Sequence, residues 1–250
     1  MRPLPFVGRA RECARLRSEF VAGRSVVLTG IHGIGRTALA RHLADELARD
    51  FRFAFCDLET GPGGVWRELF AALHPRAHAR LRHEPRSVPW TRHRVLNKAP
   101  EDPRRHVVVV DNVARLSARG LDLMRRLRER FLVLAIAEAF LPEQPMSELC
   151  LALWTRGPMR LGYLSRDATA CFLEECVRRH GFAWGRAEVQ GLARALAGFP
   201  LGMREVVAAE LRRRERRGVG CLRAVSRYAV TAPSEAEPTE RAYLARAPER

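Results

Sequence analysis

The first two thirds of the chain alternate between short apolar runs and segments with helical periodicity. Four runs are typical of buried strands in a parallel sheet, because they are short, almost wholly apolar and bounded by polar or glycine-rich segments. They span residues 25–29, 52–58, 106–111 and 131–137. A fifth run, at 159–164, predicts an edge strand. The intervening segments carry apolar residues three or four positions apart, and therefore predict helices. These helices span residues 10–21, 37–49, 65–73, 91–98, 117–130 and 146–154.

The pattern becomes entirely helical after residue 165. Ser165 followed by Asp167 is typical of a helix start, and three helices are predicted in succession. They span 166–180, 187–196 and 201–217, and a shorter one follows at 221–228. Strands that alternate with helices form a parallel sheet between helical layers. We therefore predict an α/β domain over residues 1–164, a helical domain over 165–228 and a disordered tail over 229–250.

The charge of the chain adds a possible partner to this architecture. Its 250 residues are 47% hydrophobic, enough for a globular core, yet its net charge is +16 and its isoelectric point is about 11.1. Such an excess of positive charge predicts a polyanionic partner. Lys98 is the sole lysine among 44 basic residues. This arginine bias means that an arginine at a position usually held by lysine is partly a matter of composition.

Cysteine usage and hydropathy point to a cytoplasmic protein. Six scattered cysteines form no Cys-x-x-Cys pair, so we expect reduced, mostly buried thiols. Cys171 and Cys176 have no His or Cys partners at a metal-binding spacing. No apolar run is long enough to cross a bilayer, and the first residues do not resemble a secretion signal.

The segment GIHGIGRTALA, residues 30–40, has the outline of a phosphate-binding loop. Gly33 and Gly35 permit the backbone conformations with which N–H groups converge on a phosphate. A strand precedes the loop and a helix follows it, and the amino end of a helix attracts anions. The alternative is a glycine-rich turn beside an ordinary buried strand.

A magnesium ion would complete this site. Thr37 follows the loop and offers a hydroxyl oxygen, and Asp111 ends the third predicted strand with a carboxylate. Both are hard oxygen ligands of the kind that hold Mg²⁺ beside a triphosphate. The sequence therefore predicts a site for a nucleoside triphosphate with Mg²⁺.

Four segments together resemble the AAA+ and STAND groups of P-loop ATPases. They are the residues FVGR with Glu12 near the start, the glycine loop, VVVVDN at 107–112 and GFPL at 198–201. The resemblance implies a three-layer α/β/α fold with a small helical lid, and it implies ATP as the ligand. It also implies that Arg204 reaches the γ-phosphate from the lid. The implied nucleotide-binding residues are Val7, Gly8, Arg9, Gly30, Gly33, Ile34, Gly35, Arg36, Thr37, Ala38, Pro200 and Arg204.

Two catalytic positions depart from the pattern of these families. Arg36 stands where lysine is usual, and its wider, planar group is expected to displace the γ-phosphate. Asn112 stands where a carboxylate usually orients the attacking water, and an amide cannot accept a proton. These departures predict nucleotide binding with slow or absent hydrolysis. Glu59 is an alternative source of the carboxylate, and Glu138 is the polar residue nearest the end of the fourth strand.

An arginine finger is the remaining element that the resemblance implies. Arg156 and Arg160 occupy the region from which family members offer an arginine to a neighbouring subunit. The alternative for both is an ordinary solvated surface arginine. If either one acts as a finger, the protein must form a homo-oligomer, such as a ring or a filament.

Much of the positive charge lies in two clusters. Residues 75–106 carry nine basic and three acidic side chains, and residues 204–227 carry eight and three. Clustering of this kind is typical of binding to a phosphate backbone, although it also suits a solubilising surface. Trp90 lies in the first cluster, where we favour packing over stacking on a base. The nucleic-acid candidates are Arg92, Arg94, Lys98, Arg212, Arg213 and Arg216.

Three functional hypotheses remain open on these observations. The first is an ATP-controlled AAA+ regulator that assembles on DNA, similar to transposon target-selection or origin-recognition-like ATPases. The second is a STAND-type signalling switch that acts through protein partners. The third is a degenerate ATPase that serves as a scaffold. The charge favours the first.

Overall fold

The computed structural model describes residues 4–81 and 86–215. The chain divides into an α/β unit, Ala10–Leu161, and a helical unit that combines Met1–Arg9 with Gly162–Arg250. The predicted helix at 221–228 and the predicted tail at 229–250 lie outside the described residues. In the described part of the chain Cys171 is exposed, and four other cysteines are buried, Cys13, Cys56, Cys150 and Cys176. No helix in these same residues is long and apolar enough to span a membrane.

A five-stranded parallel sheet forms the centre of the α/β unit. Its strands lie side by side in the order β2-β3-β4-β1-β5. They are β1 Val26–Gly30, β2 Phe51–Asp57, β3 Arg105–Val113, β4 Leu132–Glu138 and β5 Met159–Arg160. The two strands with the most uniformly apolar cores, β3 and β4, lie inside the sheet, where both faces are covered. The predicted three-layer P-loop fold is confirmed, with β5 at one edge.

Helices cover both faces of the sheet. Phe20 of α1 packs on Phe51 and Phe53 of β2, with ring centroids 6.3 and 5.9 Å apart. The opposite face packs on α3, α6 and α7, whose apolar residues share one buried core with Val108 and Val110. The helices of this unit are α1 Ala10–Val21, α2 Arg36–Glu46, α3 Gly61–Leu73, α4 Pro75–Arg80, α5 Val88–Asn97, α6 Ala118–Arg128 and α7 Glu143–Ala152.

The helix predicted at 65–73 begins four residues earlier in the structure. The glycine-rich segment at 61–64 forms the first turn of α3. Pro62 falls in the first turn, where a missing N–H costs nothing because that group has no helical partner. The extra short helix α4 follows the same rule, since Pro75 is its first residue.

The helical unit contains α8 Arg166–His180, α9 Arg186–Leu196 and α10 Pro200–Glu215. Residues 4–9 group with it, whereas the sequence analysis placed them with the sheet. The physical reason is packing, because Leu4 and Val7 contact its apolar core. In addition, the guanidinium of Arg9 donates a hydrogen bond to the Gly162 carbonyl at 2.7 Å. Ser165 caps α8 by accepting from the Ala168 N–H, which confirms the predicted helix start.

We predict that Gly198→Ala strongly destabilises the helical unit. Gly198 has φ +77°, and an added Cβ would overlap the Leu164 carbonyl oxygen. A left-handed alanine costs about 1 kcal/mol, and relieving the overlap costs more. Gly191→Ala is the matched control, because Gly191 lies within α9 with open space around it and alanine favours helix there. Urea unfolding should show a lower stability for Gly198→Ala only; equal stabilities would contradict the overlap.

Candidate nucleotide site

The glycine loop joins β1 to α2, as the sequence predicted. Gly33 and Gly35 have φ of +79° and +93°, a left-handed conformation that residues with a Cβ rarely adopt. Gly30 is required for space, since a Cβ there would lie 2.9 Å from Ile34 Cγ2 and 3.1 Å from the Leu161 carbonyl oxygen. The loop therefore holds a tight, glycine-dependent shape.

The first turn of α2 provides the donors for an anion. The helix begins at Arg36, and no side chain caps its amino end. The first N–H groups of a helix have no partner within it, so those of residues 36–38 remain for a ligand. Together with the helix dipole they form a phosphate-binding arrangement.

Thr37 and Asp111 lie together beside this loop. The Thr37 hydroxyl donates a hydrogen bond to Asp111 Oδ2 at 2.8 Å. A hydroxyl and a carboxylate oxygen suit Mg²⁺, which prefers hard oxygen donors and usually takes only one or two of them from the protein. These two residues therefore fit a magnesium ion bound with a nucleotide phosphate.

Arg36 forms a largely buried ion pair at the end of β4. Its guanidinium donates to the Ala137 carbonyl and to Glu138 Oε1, both at 2.5 Å. The Arg36 side chain is only 7% exposed and that of Glu138 only 13%. The Glu138 carboxylate neutralises the positive charge of Arg36, which would otherwise attract a phosphate. Glu138 is therefore the counter-ion of Arg36. The sequence predicted it only as the polar residue nearest the end of the fourth strand.

Asn112 occupies a bulge where β3 departs from regular pairing with β4. Its φ is +57°, in the left-handed region that asparagine tolerates better than most residues. Its Nδ2 donates to Asp57 Oδ2 at 2.8 Å, and its backbone N–H donates to Asp111 Oδ1 at 2.9 Å. The amide is thus already engaged by a carboxylate of the neighbouring strand.

Asp57 is a site residue that the sequence analysis missed. It is the last residue of β2, and its direct partner in the sheet register is Asp111, two residues before the end of β3. The matching position of a carboxylate after each strand was the available signal. Glu59, the residue considered instead, is exposed in a short 3-10 turn at Leu58–Thr60. Its backbone N–H donates to Asp57 Oδ1 at 2.8 Å.

Cys56 lies next to these carboxylates and is chemically inert. Burial raises the pKa of its thiol far above the usual range, and the negative charges of Glu68, Asp57 and Asp111 raise it further. The thiol donates a hydrogen bond to the Val109 carbonyl at 3.2 Å. The nucleophile is the thiolate, so this cysteine takes no part in covalent chemistry.

The other predicted nucleotide contacts lie in the helical unit. Gly8 has φ +73°, and a Cβ there would lie 2.6 Å from the Ala168 Cβ. Val7 packs on the apolar core, and Arg9 is buried. Pro200 is the first residue of α10, and Arg204 is exposed on that helix. The FVGR and GFPL segments are therefore structural parts of this unit.

The two arginine-finger candidates lie at different ends of the sheet. Arg160 is exposed at the end of β5, in register with Thr29 near the glycine loop. Arg156 precedes β5, and its charge helps to lower the pKa of Glu19, after the larger effect of the hydrogen bond from Arg24. Arg156 therefore lies toward the amino ends of the strands, whereas the glycine loop lies at their carboxyl ends.

The nucleic-acid candidates differ in how available they are. Arg92 of α5 and Lys98, which directly follows this helix, are exposed. Arg94 is half-buried, with its guanidinium 5.6 Å from the centre of the Trp90 ring. Trp90 packs edge-on against Phe70 at 5.2 Å, as favoured from the sequence. Arg212 is exposed on α10, and Arg213 pairs with Glu210 at 2.9 Å. Arg216 lies outside the described residues.

Comparison with known proteins agrees with this geometry. Residues 21–138, which include the glycine loop and the ends of β3 and β4, match a family model described as an AAA domain. The match covers a little less than half of the chain and, with the parallel sheet described above, gives residues 21–138 an AAA-type P-loop fold. A search of curated protein sequences finds no match.

Several solved structures share this AAA+ fold. A Walker-type ATPase of Pyrococcus abyssi superimposes with a TM-score of 0.63 at 16% identity, over 91% of this chain and 74% of that one. The ORC2 protein of Aeropyrum pernix gives 0.64 at 14% identity, over 96% and 71%. The Aeropyrum pernix ORC1 protein in complex with DNA gives 0.54 at 17% identity, over 91% and 66%. Identities this low establish the fold alone.

Proposed function

We propose that this protein binds ATP with Mg²⁺ and assembles on DNA as a homo-oligomer under the control of the bound nucleotide, with slow or absent hydrolysis. The observation that carries the nucleotide part is the Thr37–Asp111 pair beside a glycine loop of the required shape. The observation that carries slow hydrolysis is that Arg36 and Asn112 are both bound to protein carboxylates.

Nucleotide binding in this proposal depends on a competition for Arg36. A phosphate that enters the loop must share the guanidinium with Glu138, which is already 2.5 Å away. Any ATP affinity is therefore lower than the loop alone would give. Thr37 and Asp111 would hold the magnesium ion, which would supply positive charge to the phosphates.

We expect Mg-ATP to raise the melting temperature, because it binds the folded state only. Asp111→Ala should remove the magnesium dependence of that rise. Glu138→Gln should increase ATP affinity about fivefold, since exchanging a charged for a neutral acceptor frees roughly 1 kcal/mol of the Arg36 interaction. Glu143→Gln, an exposed acid on α7, is the control for loss of one negative charge. A melting temperature that does not respond to millimolar Mg-ATP would reject the site.

Hydrolysis should be limited mainly at residue 112. A carboxylate there would lie against Asp57, so Asn112→Glu alone meets electrostatic repulsion as well as an unfavourable backbone conformation. We expect the double variant Asn112→Glu with Asp57→Asn to release phosphate faster than Asn112→Glu, and both to exceed a low wild-type rate. A well-placed general base contributes ~10²–10⁴-fold. Wild-type turnover at ordinary ATPase rates would show that the defect is assigned wrongly.

DNA is the partner that the charge distribution favours. Arg92 of α5 and the following Lys98 are exposed, and the ORC1 structure that shares this fold is bound to DNA. Contacts with phosphates release counterions, which makes such binding strongly dependent on salt. Assembly into an oligomer would place an arginine such as Arg160 at the nucleotide of a neighbouring subunit. ATP would then favour the DNA-bound assembly over the free protein.

Charge reversal at Arg92 and Lys98 together should weaken binding to duplex DNA of any sequence and reduce its salt dependence. The measurement is fluorescence anisotropy across a salt series, with and without Mg-ATP. Arg119→Glu with Arg125→Glu, two substitutions on α6, controls for the change in total charge. Retention on heparin without DNA binding at physiological salt would instead favour the STAND-type switch that acts through protein partners.

A further inference from the structure

A second concave site lies at the amino ends of the strands, whereas the glycine loop lies at their carboxyl ends. A groove of about 580 Å³ opens at the amino ends of β1, β3 and β4. Its walls are the segments 23–25, 105–106, 128–132 and 153–154. This volume lies within the range of ligand-binding clefts. The groove shares no residue with the candidate nucleotide site.

The groove is strongly basic. Its charged lining residues are Arg24, Arg105, Arg128, Arg130 and Glu129. Arg105 donates to the Val21 carbonyl at 3.4 Å and Arg130 to the Lys98 carbonyl at 2.9 Å. These carbonyls orient the guanidinium groups without cancelling their charge, and arginine keeps donors to spare. Within residues 4–81 and 86–215, Arg24 is the one arginine of this groove that pairs with a carboxylate, that of Glu19.

Trp154 lines this groove at a position whose left-handed backbone conformation favours glycine. It follows α7 with φ +54°, and its N–H donates to the Leu151 carbonyl at 3.1 Å. The next N–H, of Thr155, donates to the Cys150 carbonyl at 2.9 Å. This pattern of bonds is the Schellman motif, whose left-handed residue is usually glycine. A bulky side chain is strained there, and that of Trp154 is 76% exposed, so it contributes little to a core.

Arg128 fixes the ring of this tryptophan. Its guanidinium carbon lies 3.4 Å from the ring centroid, a close cation–π contact. The exposed remainder of the ring is available to a second planar group. Trp90 differs in this respect, because it packs against Phe70 and is only 36% exposed.

We propose that this groove binds single-stranded nucleic acid, with an unpaired base stacked on Trp154 and phosphates paired with Arg105, Arg128 and Arg130. The proposal rests on the proposed DNA-binding function and adds the form of the ligand. A tryptophan face accepts any unpaired base but not one stacked inside a duplex. The bond from Arg130 to the Lys98 carbonyl makes the groove continuous with the basic end of α5.

The test measures binding of a fluorescein-labelled 12-nucleotide oligo-dT and of a 12-base-pair duplex to the full chain. Trp154→Leu and Trp154→Gly should weaken oligo-dT binding about tenfold, the usual contribution of one stacked base. Arg128→Ser with Arg130→Ser should lower the salt dependence by more than one counterion. Phe140→Leu and Arg119→Ser are matched controls, an exposed aromatic residue and an exposed arginine outside the groove. Both should bind as the wild type does.

Trp154→Gly also separates binding from folding. Glycine relieves the left-handed strain, so the melting temperature of Trp154→Gly should equal or exceed that of Trp154→Leu, while its oligo-dT binding is weakened about tenfold. Unchanged oligo-dT binding by both Trp154 variants rejects the groove as a site for single-stranded nucleic acid. This holds even if duplex binding still depends on Arg92 and Lys98. Competition by polyglutamate as strong as that by oligo-dT overturns it in favour of an acidic peptide. A wild-type protein that binds neither DNA rejects the proposed function as well.

Discussion

The candidate nucleotide site depends on one constraint, which is that parallel strands end side by side and their polar ends need partners. Buried apolar strands carry Asp57, Asp111 and Glu138 at or near their carboxyl ends, so three carboxylates lie at that end of the sheet. Carboxylates crowded in this way must be paired or hydrogen-bonded. Thr37, Arg36 and Asn112 each satisfy one of them. The residues that would act on a phosphate are thus the same residues that hold the strand ends together.

The amino ends and the carboxyl ends of the parallel strands carry opposite charge, and the proposed function depends on this separation. Carboxylates collect at the carboxyl edge, where a magnesium ion would bridge protein and phosphate. Arginines collect at the amino edge and along α5. A polyanion is therefore attracted to one end of the α/β unit and repelled from the other, unless a metal ion accompanies it. Nucleotide and nucleic acid can occupy the same unit without competing for the same side chains.

Much of the fold followed from hydropathy, because the inner strands β1, β3 and β4 are largely buried and most of the helices repeat their apolar positions regularly. The position of the glycine loop followed from its place directly after β1. The pairing of Thr37 with Asp111 followed from the place of Thr37 after that loop and of Asp111 near the end of β3. What could not be predicted is how side chains choose among partners brought together by the sheet. The turn of Arg36 toward Glu138 and of Asn112 toward Asp57 depends on contacts between residues 55 or more positions apart. Likewise, the exposure of Trp154 arises from how α7 ends.

The ion pair between Arg36 and Glu138 also constrains how this loop can change during evolution. Removing either partner alone leaves a largely buried charge without its counter-ion, which is costly. Lysine in place of Arg36 would lose the paired donors that now serve the Ala137 carbonyl and Glu138 together. Lysine at residue 36 is therefore favourable only after, or together with, a change at residue 138. The two positions form an epistatic pair, so a substitution at one is tolerated best when the other changes with it.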